Sequence, residues 1–307
     1  MVDFVGRGGG RGRASGRPPL PCFRRRVAPL PPLAAASPPP PGPSRATVSP
    51  LDAQRIALAA PAFDVEAVQE TGSTNTDLLQ RARLRQPQRP LLRATLHQTA
   101  GRGRHGRRWF APPGGALLFS LAVPVPGPEE RLAAATLACG IGAAEALRAA
   151  GAPVALKWPN DLLLGERKVG GVLCELAVDG DGRRTLVVGL GINLRLEAAT
   201  RDSIGRPVAA LEETPAAGAE RETLIGRLAM AIFDALSLYE AQGFVPLQPR
   251  FMALFAHRDA MIDLYEVGVR VASGRALGVD GEGRLLLETA QGLRVCSSGE
   301  VSLQVRA

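Results

Sequence analysis

Only two of the 37 basic residues in this 307-residue chain are lysines, Lys157 and Lys168, and they stand eleven positions apart. Arginine supplies positive charge everywhere else, so these two positions mark a need that a guanidinium fork does not meet. A lysine ammonium is a compact charge on a flexible stem, suited to a carboxylate or phosphate oxygen whose charge changes during a reaction. Lys157-Trp-Pro-Asn-Asp161 adds a strand-breaking proline and two side chains, Asn160 and Asp161, whose oxygens suit Mg²⁺. Lys168-Val-Gly-Gly171 places glycines beside the second lysine, so a ligand can lie flat on the backbone there. The plainer alternatives are a structural turn around a buried Trp158, with Asn160 as a cap, and a lysine on a hairpin edge.

Upstream lies Gly101-Arg-Gly-Arg-His-Gly-Arg-Arg-Trp109. Its glycines let backbone approach a ligand closely, and its arginines offer forked donors to carboxylates or phosphates. Trp109 closes the run and can cover a flat ring. An exposed basic loop touching nucleic acid is the competing reading. The run is not a phosphate-binding P-loop, because the Gly-Lys-Ser/Thr ending is absent. Gly72-Ser-Thr-Asn75 puts short hydroxyl and amide groups at a helix start, either for a polar ligand or as a plain N-cap. Gln98 ends the strand leading into the arginine loop. Gly189-Leu-Gly-Ile-Asn193 ends a later strand, where glycine permits close approach or simple packing.

The elements that must carry these strings are legible from periodicity. Helix is expected over 52–60, after Gly72–Asn75, over Glu129–Ala150 and Glu220–Gln242, with a short one over 246–255. Strands are expected over 63–69, 91–97, Ala116–Val123, 153–157, 162–164, 168–177 and 184–194. Residues 99–115 read as a loop, Gly165–Arg167 as a tight turn and Asp179–Gly182 as a hairpin loop. From Met261 onward short strands alternate with Gly/Asp turns, the pattern of a small β-barrel that is stable by docking on a larger domain. The resulting division is a disordered Pro/Arg/Gly-rich tail over 1–50, a main domain over 51–258 and a small β domain over 259–307.

Charge follows the same division. The first fifty residues hold eight arginines and one acid, Asp3, and so carry +7 of the +8 net charge; they also hold twelve of the 26 prolines. Such a tail cannot bury enough apolar surface to offset chain entropy, and its prolines spoil the amphipathic helix of a transit peptide. Translation starting near Val48 is the other reading. The rest of the chain is nearly neutral, which argues against specific nucleic-acid binding despite a pI near 10.3. No uninterrupted run of 18 apolar residues exists, so no membrane span is expected. Four scattered cysteines and three histidines indicate neither a disulfide framework nor a zinc site. A cytoplasmic protein is the expectation, with edge strands of the main sheet available for a homodimer.

Taken in order, Gly72–Asn75, Gln98–Trp109, Lys157–Asp161, Lys168–Gly171 and Gly189–Asn193 resemble the biotin protein ligases, over about residues 63–305. The resemblance is to the short class without an N-terminal DNA-binding domain. It implies an α+β fold: a mixed β-sheet with flanking helices, related to class II aminoacyl-tRNA synthetases, plus a small C-terminal SH3-like β-barrel. It also implies two half-reactions. The carboxylate of biotin attacks the α-phosphate of ATP, with Mg²⁺, to give biotinyl-5′-AMP. A lysine of a biotin carboxyl carrier protein, by default that of acetyl-CoA carboxylase, then takes the biotinyl group.

By the same resemblance Lys168 and Arg104 are the catalytic groups. Ser73, Thr74, Asn75, Gln98, Arg102, Gly103, Arg104, Lys168 and Gly171 hold biotin. Arg104, Arg107, Trp109, Lys157, Asn160, Lys168 and Asn193 hold ATP, and Asn160 with Asp161 assists the metal. The chemistry needs no covalent nucleophile: two anions must meet, and fixed positive charge relieves their repulsion. Because an acyl-adenylate hydrolyses in water, the 101–109 loop is expected to be disordered until ligand closes it. Rival readings are a lipoate or octanoyl ligase of the same fold, a nucleic-acid binder using the tail and the arginine loop, and an inactive biotin sensor.

Overall fold

The computed structural model describes residues 49–126 and 132–303, so the reading of the N-terminal tail falls almost wholly outside the described residues. The main sheet is built from β1 (Asp64–Thr71), β2 (Leu91–Gln98), β3 (Ala116–Val125), β4 (Val154–Lys157), β5 (Asp161–Leu164), β6 (Arg167–Val178) and β7 (Arg184–Asn193). Their spatial order is β1-β2-β3-β7-β6-β5-β4. Only β1 and β2 run parallel, joined by a helical crossover, so the sheet is mixed as expected.

Helices lie on both faces because the strands alternate two kinds of side chain. Phe119, Leu121, Val188, Leu190 and Ile192 point to one face and are buried in the principal core with α1 (Ala53–Ala59), α3 (Leu132–Ala149) and α5 (Arg221–Gln242). Ala122, Ala177 and Val187 point to the other and pack against Leu78, Leu79 and Ala82 of α2 (Thr74–Leu84). Asp52 caps α1 by accepting from the Gln54 and Arg55 amides, and Ser73 caps α2 by accepting from Thr76. Helix α3 is described from Leu132, and the expected start at Glu129 lies outside the described residues. At 18 residues and mean hydropathy 1.3 the helix is long and apolar enough to cross a membrane, although Gly140, Gly142 and Glu145 interrupt its apolar run. Two thirds of it is buried, with α5 and the sheet covering it. Two departures are α4 (Ala198–Ile204) and one-turn 3₁₀ segments at Leu211–Glu213 and Pro215–Gly218, where no helix was expected. Such short turns carry too few residues to show a period.

Helix α6 (Gln248–Leu254) leads to a second, wholly antiparallel sheet, β8 (Met261–Glu266), β9 (Val269–Val279), β10 (Leu285–Thr289), β11 (Gly292–Cys296) and β12 (Glu300–Leu303), ordered β11-β10-β9-β8-β12. Its buried side chains, among them Ile262, Leu264, Ala276 and Leu287, are continuous with the main core. The two sheets are also tied by polar contacts. Leu156 accepts from the Ala256 amide, and the buried Trp158 indole donates to the Gly283 carbonyl at 3.2 Å.

Beside that seam His257 is 5% exposed, and its Nδ1 has no hydrogen-bond partner. Burial, helped by the Lys157 charge, lowers its pKa from 6.5 to about 4. The unfolded chain therefore takes up this proton first as pH falls, so stability is constant above about 6.5 and is lost between 6.5 and 4. The full loss is about 3 kcal/mol at 1.36 kcal/mol per pKa unit. Urea denaturation across this range should show a His257→Asn variant losing less stability than the parent; parallel curves would contradict the assignment.

Candidate active site

The face that α2 covers only in part becomes a cavity because its strands run out of bulk. Next to Ala122 and Val187, the residues on that face are Ser120, Gly189, Gly191, Leu173 and Gly171, and all of them line a cavity of about 410 Å³. Glycine is required at two of these positions by close approach. A Cβ on Gly189 would lie 2.3 Å from the Asn75 side-chain oxygen, and one on Gly191 would lie 2.7 Å from the Trp109 ring. The floor is therefore shaped to seat two particular side chains.

At one end the first turn of α2 delivers a buried polar cluster. Thr74 donates to Gln98 Oε1 from its amide (2.8 Å), and its hydroxyl lies 3.1 Å from the same oxygen and 2.7 Å from the Ser120 hydroxyl. Ser120 in turn lies 2.6 Å from Asn75 Oδ1, while Asn75 Nδ2 donates to Glu175 and to the Leu173 carbonyl. Two hydroxyl protons thus serve three contacts, which leaves an oxygen lone pair free to take a donor from a ligand. Glu175 is held in turn by the Arg102 fork. Ser73, Thr74 and Asn75 are each at most 4% exposed.

At the other end stand the two lysine strings. The β4–β5 hairpin pairs Lys157 with Asp161, and the β5–β6 pairing sets Asp161 opposite Gly171. A register shift in that pairing lets Lys168 reach back to Asp161, with which its ammonium forms a close ion pair. The pair is largely buried, at 14% and 19% side-chain exposure. Burial pushes the Lys168 pKa below its ordinary 10.5; Asp161 opposes this, while Arg206 and Lys157 add to it. Arg104 reaches across to Asn160 Oδ1 at 3.3 Å, and Asn160 Nδ2 donates to the Val172 carbonyl.

The arginine run is less featureless than the sequence indicates. It folds back on itself, with Arg102 bridging Arg108 and the Gly103 amide donating to the Arg107 carbonyl, around a tip where His105 has φ +56°. This brings Trp109 onto Gly191, with its ring 5.9 Å from the Lys168 nitrogen and its indole N–H buried without a partner. On the far side of Trp109 a second cavity of about 490 Å³ is lined by Phe110, Asn193, Ile204 and Val208, and it shares Arg107, Arg108, Trp109, Lys168 and Arg206 with the first. Asn193 is buried there and donates to the Ala209 carbonyl.

The structure thus gathers Ser73, Thr74, Asn75, Gln98, Arg102, Gly103, Arg104, Arg107, Trp109, Lys157, Asn160, Asp161, Lys168 and Gly171 around one cavity, with Asn193 in the adjoining one. Asp161 is engaged by Lys168, and Asn160 Oδ1 by Arg104, so neither stands open as a dedicated metal ligand. No group of three His, Cys, Asp or Glu suited to a metal occurs among the described residues. Among the lining residues that escaped the sequence reading are Ser120, Arg206, Tyr265 and Val301. Ser120, and Glu175 behind the wall, each interrupt an apolar strand, which is the only signal they gave.

Residues 67–193 match the biotin/lipoate A/B protein ligase family, and residues 266–304 match the biotin protein ligase C-terminal domain. The chain is 34% identical over 256 residues to the bifunctional ligase/repressor BirA of Salmonella typhimurium, covering 83% of this chain and 78% of that one. It is 31% identical over 211 residues to the biotin–[acetyl-CoA-carboxylase] ligase of Paracoccus denitrificans, covering 66% and 86%. Among solved structures, the biotin protein ligase of Aquifex aeolicus in complex with biotin and ATP superposes with a TM-score of 0.64 at 27% identity, over 79% of this chain and 98% of that one. These matches place the mixed sheet and its charged double cavity among the ligases. The chain belongs to the biotin protein ligase family.

The seat of Trp109 can be tested without any ligand. In a Trp158→Phe background, Gly191→Ala should push the indole off its floor and shift its fluorescence emission to the red. An unchanged spectrum would mean that Trp109 does not rest on Gly191.

Proposed function

We propose that the first cavity holds biotin and the second the adenosine of ATP, so that the carboxylate and the α-phosphate meet at Lys168. The observation that carries this is the position of Lys168 and Trp109, which line both cavities at their junction. The Ser73–Asn75 turn, Gln98 and Ser120 offer donors and acceptors to a ureido head, which has two N–H groups and one carbonyl. The backbone at Arg102, Gly103 and Gly171 flanks the acyl tail. Trp109 and Asn193 border the nucleotide base, and Arg104, Arg107, Lys157 and Asn160 surround the phosphates.

In the first half-reaction a carboxylate oxygen attacks the α-phosphorus and pyrophosphate leaves with the electron pair of the broken P–O bond. No proton moves. The obstacle is repulsion between anions, and a buried, already charged ammonium lowers it without reorganising. Asp161 keeps Lys168 charged in a setting that would otherwise favour the neutral amine. Mg²⁺ carried in by the polyphosphate would supply further charge neutralisation, and Asn160 and Asp161 could assist it only by giving up their contacts with Arg104 and Lys168. In the second half-reaction the amine of the carrier lysine attacks the acyl carbon, AMP leaves with the electron pair of the broken acyl C–O bond, and the proton lost by the nitrogen passes to solvent. Positive charge at Lys168 and Arg104 favours the neutral, nucleophilic form of that incoming amine. The acceptor is the biotin carboxyl carrier domain of acetyl-CoA carboxylase.

Lys168→Ala should slow single-turnover formation of biotinyl-5′-AMP by about two orders of magnitude or more, the scale for losing one transition-state charge contact. The ammonium is the active form, and its pKa lies below 10.5. Accordingly kcat/KM for biotin should fall on an alkaline limb that begins below that value, because this parameter reports the free enzyme. Lys168→Arg should remove the limb. A wild-type rate for Lys168→Ala would return Lys168 to a hairpin-edge role. Avidin blotting of the carrier domain after incubation with enzyme, biotin and MgATP tests the whole reaction; no labelling would overturn the assignment of acceptor.

A further inference from the structure

Arg206 is absent from the motif strings, yet it lines both cavities at the junction occupied by Lys168. Its backbone is not adrift. Gly205, at φ +67°, ends α4 and turns the chain so that Pro207 accepts the Lys168 amide at 3.1 Å and the Ala209 amide donates to the Lys168 carbonyl at 2.9 Å. The guanidinium and the ammonium are therefore carried on one hydrogen-bonded rung. Neighbouring arginines are spent on structure: Arg201 binds the Leu196 carbonyl and Glu213, and Arg167 binds Glu213. In the cavity wall Arg102 is held by Glu175, Arg104 by Asn160 and Arg108 by the Thr99 carbonyl. Arg206, by contrast, is exposed and has no hydrogen bond or ion pair among the described residues.

An unpaired fork facing a junction where a phosphate must sit has a plain chemical use. Arg206 also acts on Lys168 electrostatically, adding to the fall in its pKa, so the two charges share a field into which an anion would be drawn. A forked donor matches two non-bridging phosphate oxygens at once. We propose that Arg206 holds the β- and γ-phosphates of the nucleotide and then the departing pyrophosphate. The oxygen that bridges the α- and β-phosphorus atoms takes the electron pair when its bond to the α-phosphorus breaks, and Arg206 neutralises the charge that builds on that leaving group. Lys168 serves the attacking side and Arg206 the leaving side. The proposal rests on the ligase reading above for the identity of the triphosphate.

Calorimetric titration of the full chain with pyrophosphate alone, without biotin or ATP, tests this whether or not the protein turns over. The parent should bind pyrophosphate, Arg206→Gln should bind about tenfold more weakly, and Arg206→Lys should fall between, because it restores charge but not the fork. Arg206 is exposed, so these variants should keep the parent's melting temperature. A second measurement separates the two halves of the reaction. With preformed biotinyl-5′-AMP, transfer to the carrier domain should be the same for Arg206→Gln and the parent, while the KM for ATP in adenylate formation rises about tenfold and that for biotin stays fixed. Equal pyrophosphate affinities would overturn the proposal. So would a defect confined to transfer from the preformed adenylate, which would assign Arg206 to a carboxylate of the acceptor.

Discussion

The pairing of Lys168 with Asp161 is the contact around which the rest of the site is arranged. An ammonium buried to this degree would tend to shed its proton, and a carboxylate within contact distance is what holds the charge in place. The contact depends on the sheet. It uses the register shift between β5 and β6, and Gly171 opposite Asp161 leaves the ammonium room, since a Cβ there would lie 3.3 Å from the Lys168 nitrogen and would crowd it. It also requires the 207–209 segment clamped on the Lys168 backbone. In the proposed reaction a ligand carboxylate or phosphate entering the junction completes an arrangement whose positive charge is already fixed, so that a site without a general base could drive adenylation.

Around that contact the sheet separates two tasks. One face carries large aliphatic and aromatic residues into the main core and supplies stability. The other carries serine and glycine where α2 stops covering it, and supplies room. Helix α2 contributes at both ends: Leu78, Leu79 and Ala82 close the packed part of the face, and Thr74 and Asn75 open the polar part. The second sheet takes part as well. Tyr265, Gly268 and Val301 reach the cavity, and the Trp158 contact with Gly283 fixes the turn between β9 and β10 to the motif that carries Asn160 and Asp161.

Much of this was legible in the sequence, for reasons that can be named. Lysine scarcity picked out Lys157 and Lys168; glycine and arginine density picked out 101–109; hydroxyl and amide residues at a helix start picked out Ser73–Asn75. All are local patterns of residue type. What escaped depends on which residues meet across the sheet. Ser120 and Glu175 sit in strands whose periodicity reports only burial, and nothing in their spacing shows that they share Asn75. Arg206 is one arginine among many until the 205–209 turn brings it beside Lys168. The fold-back of the arginine run was hidden because a three-residue 3₁₀ turn at Arg104–Gly106 gives no periodic signal. The donors read for a metal, Asn160 and Asp161, were found at the expected place but already engaged by Arg104 and Lys168.

The most direct measurement of the central claim is isotope exchange between pyrophosphate and ATP by the full chain, with biotin, with lipoate and with neither. The account expects exchange that depends on biotin and on Mg²⁺ and needs no carrier protein, because the two cavities and the Lys168 junction between them hold every reactant of the adenylating step. Exchange supported by lipoate instead, or no exchange with either acid, would contradict it.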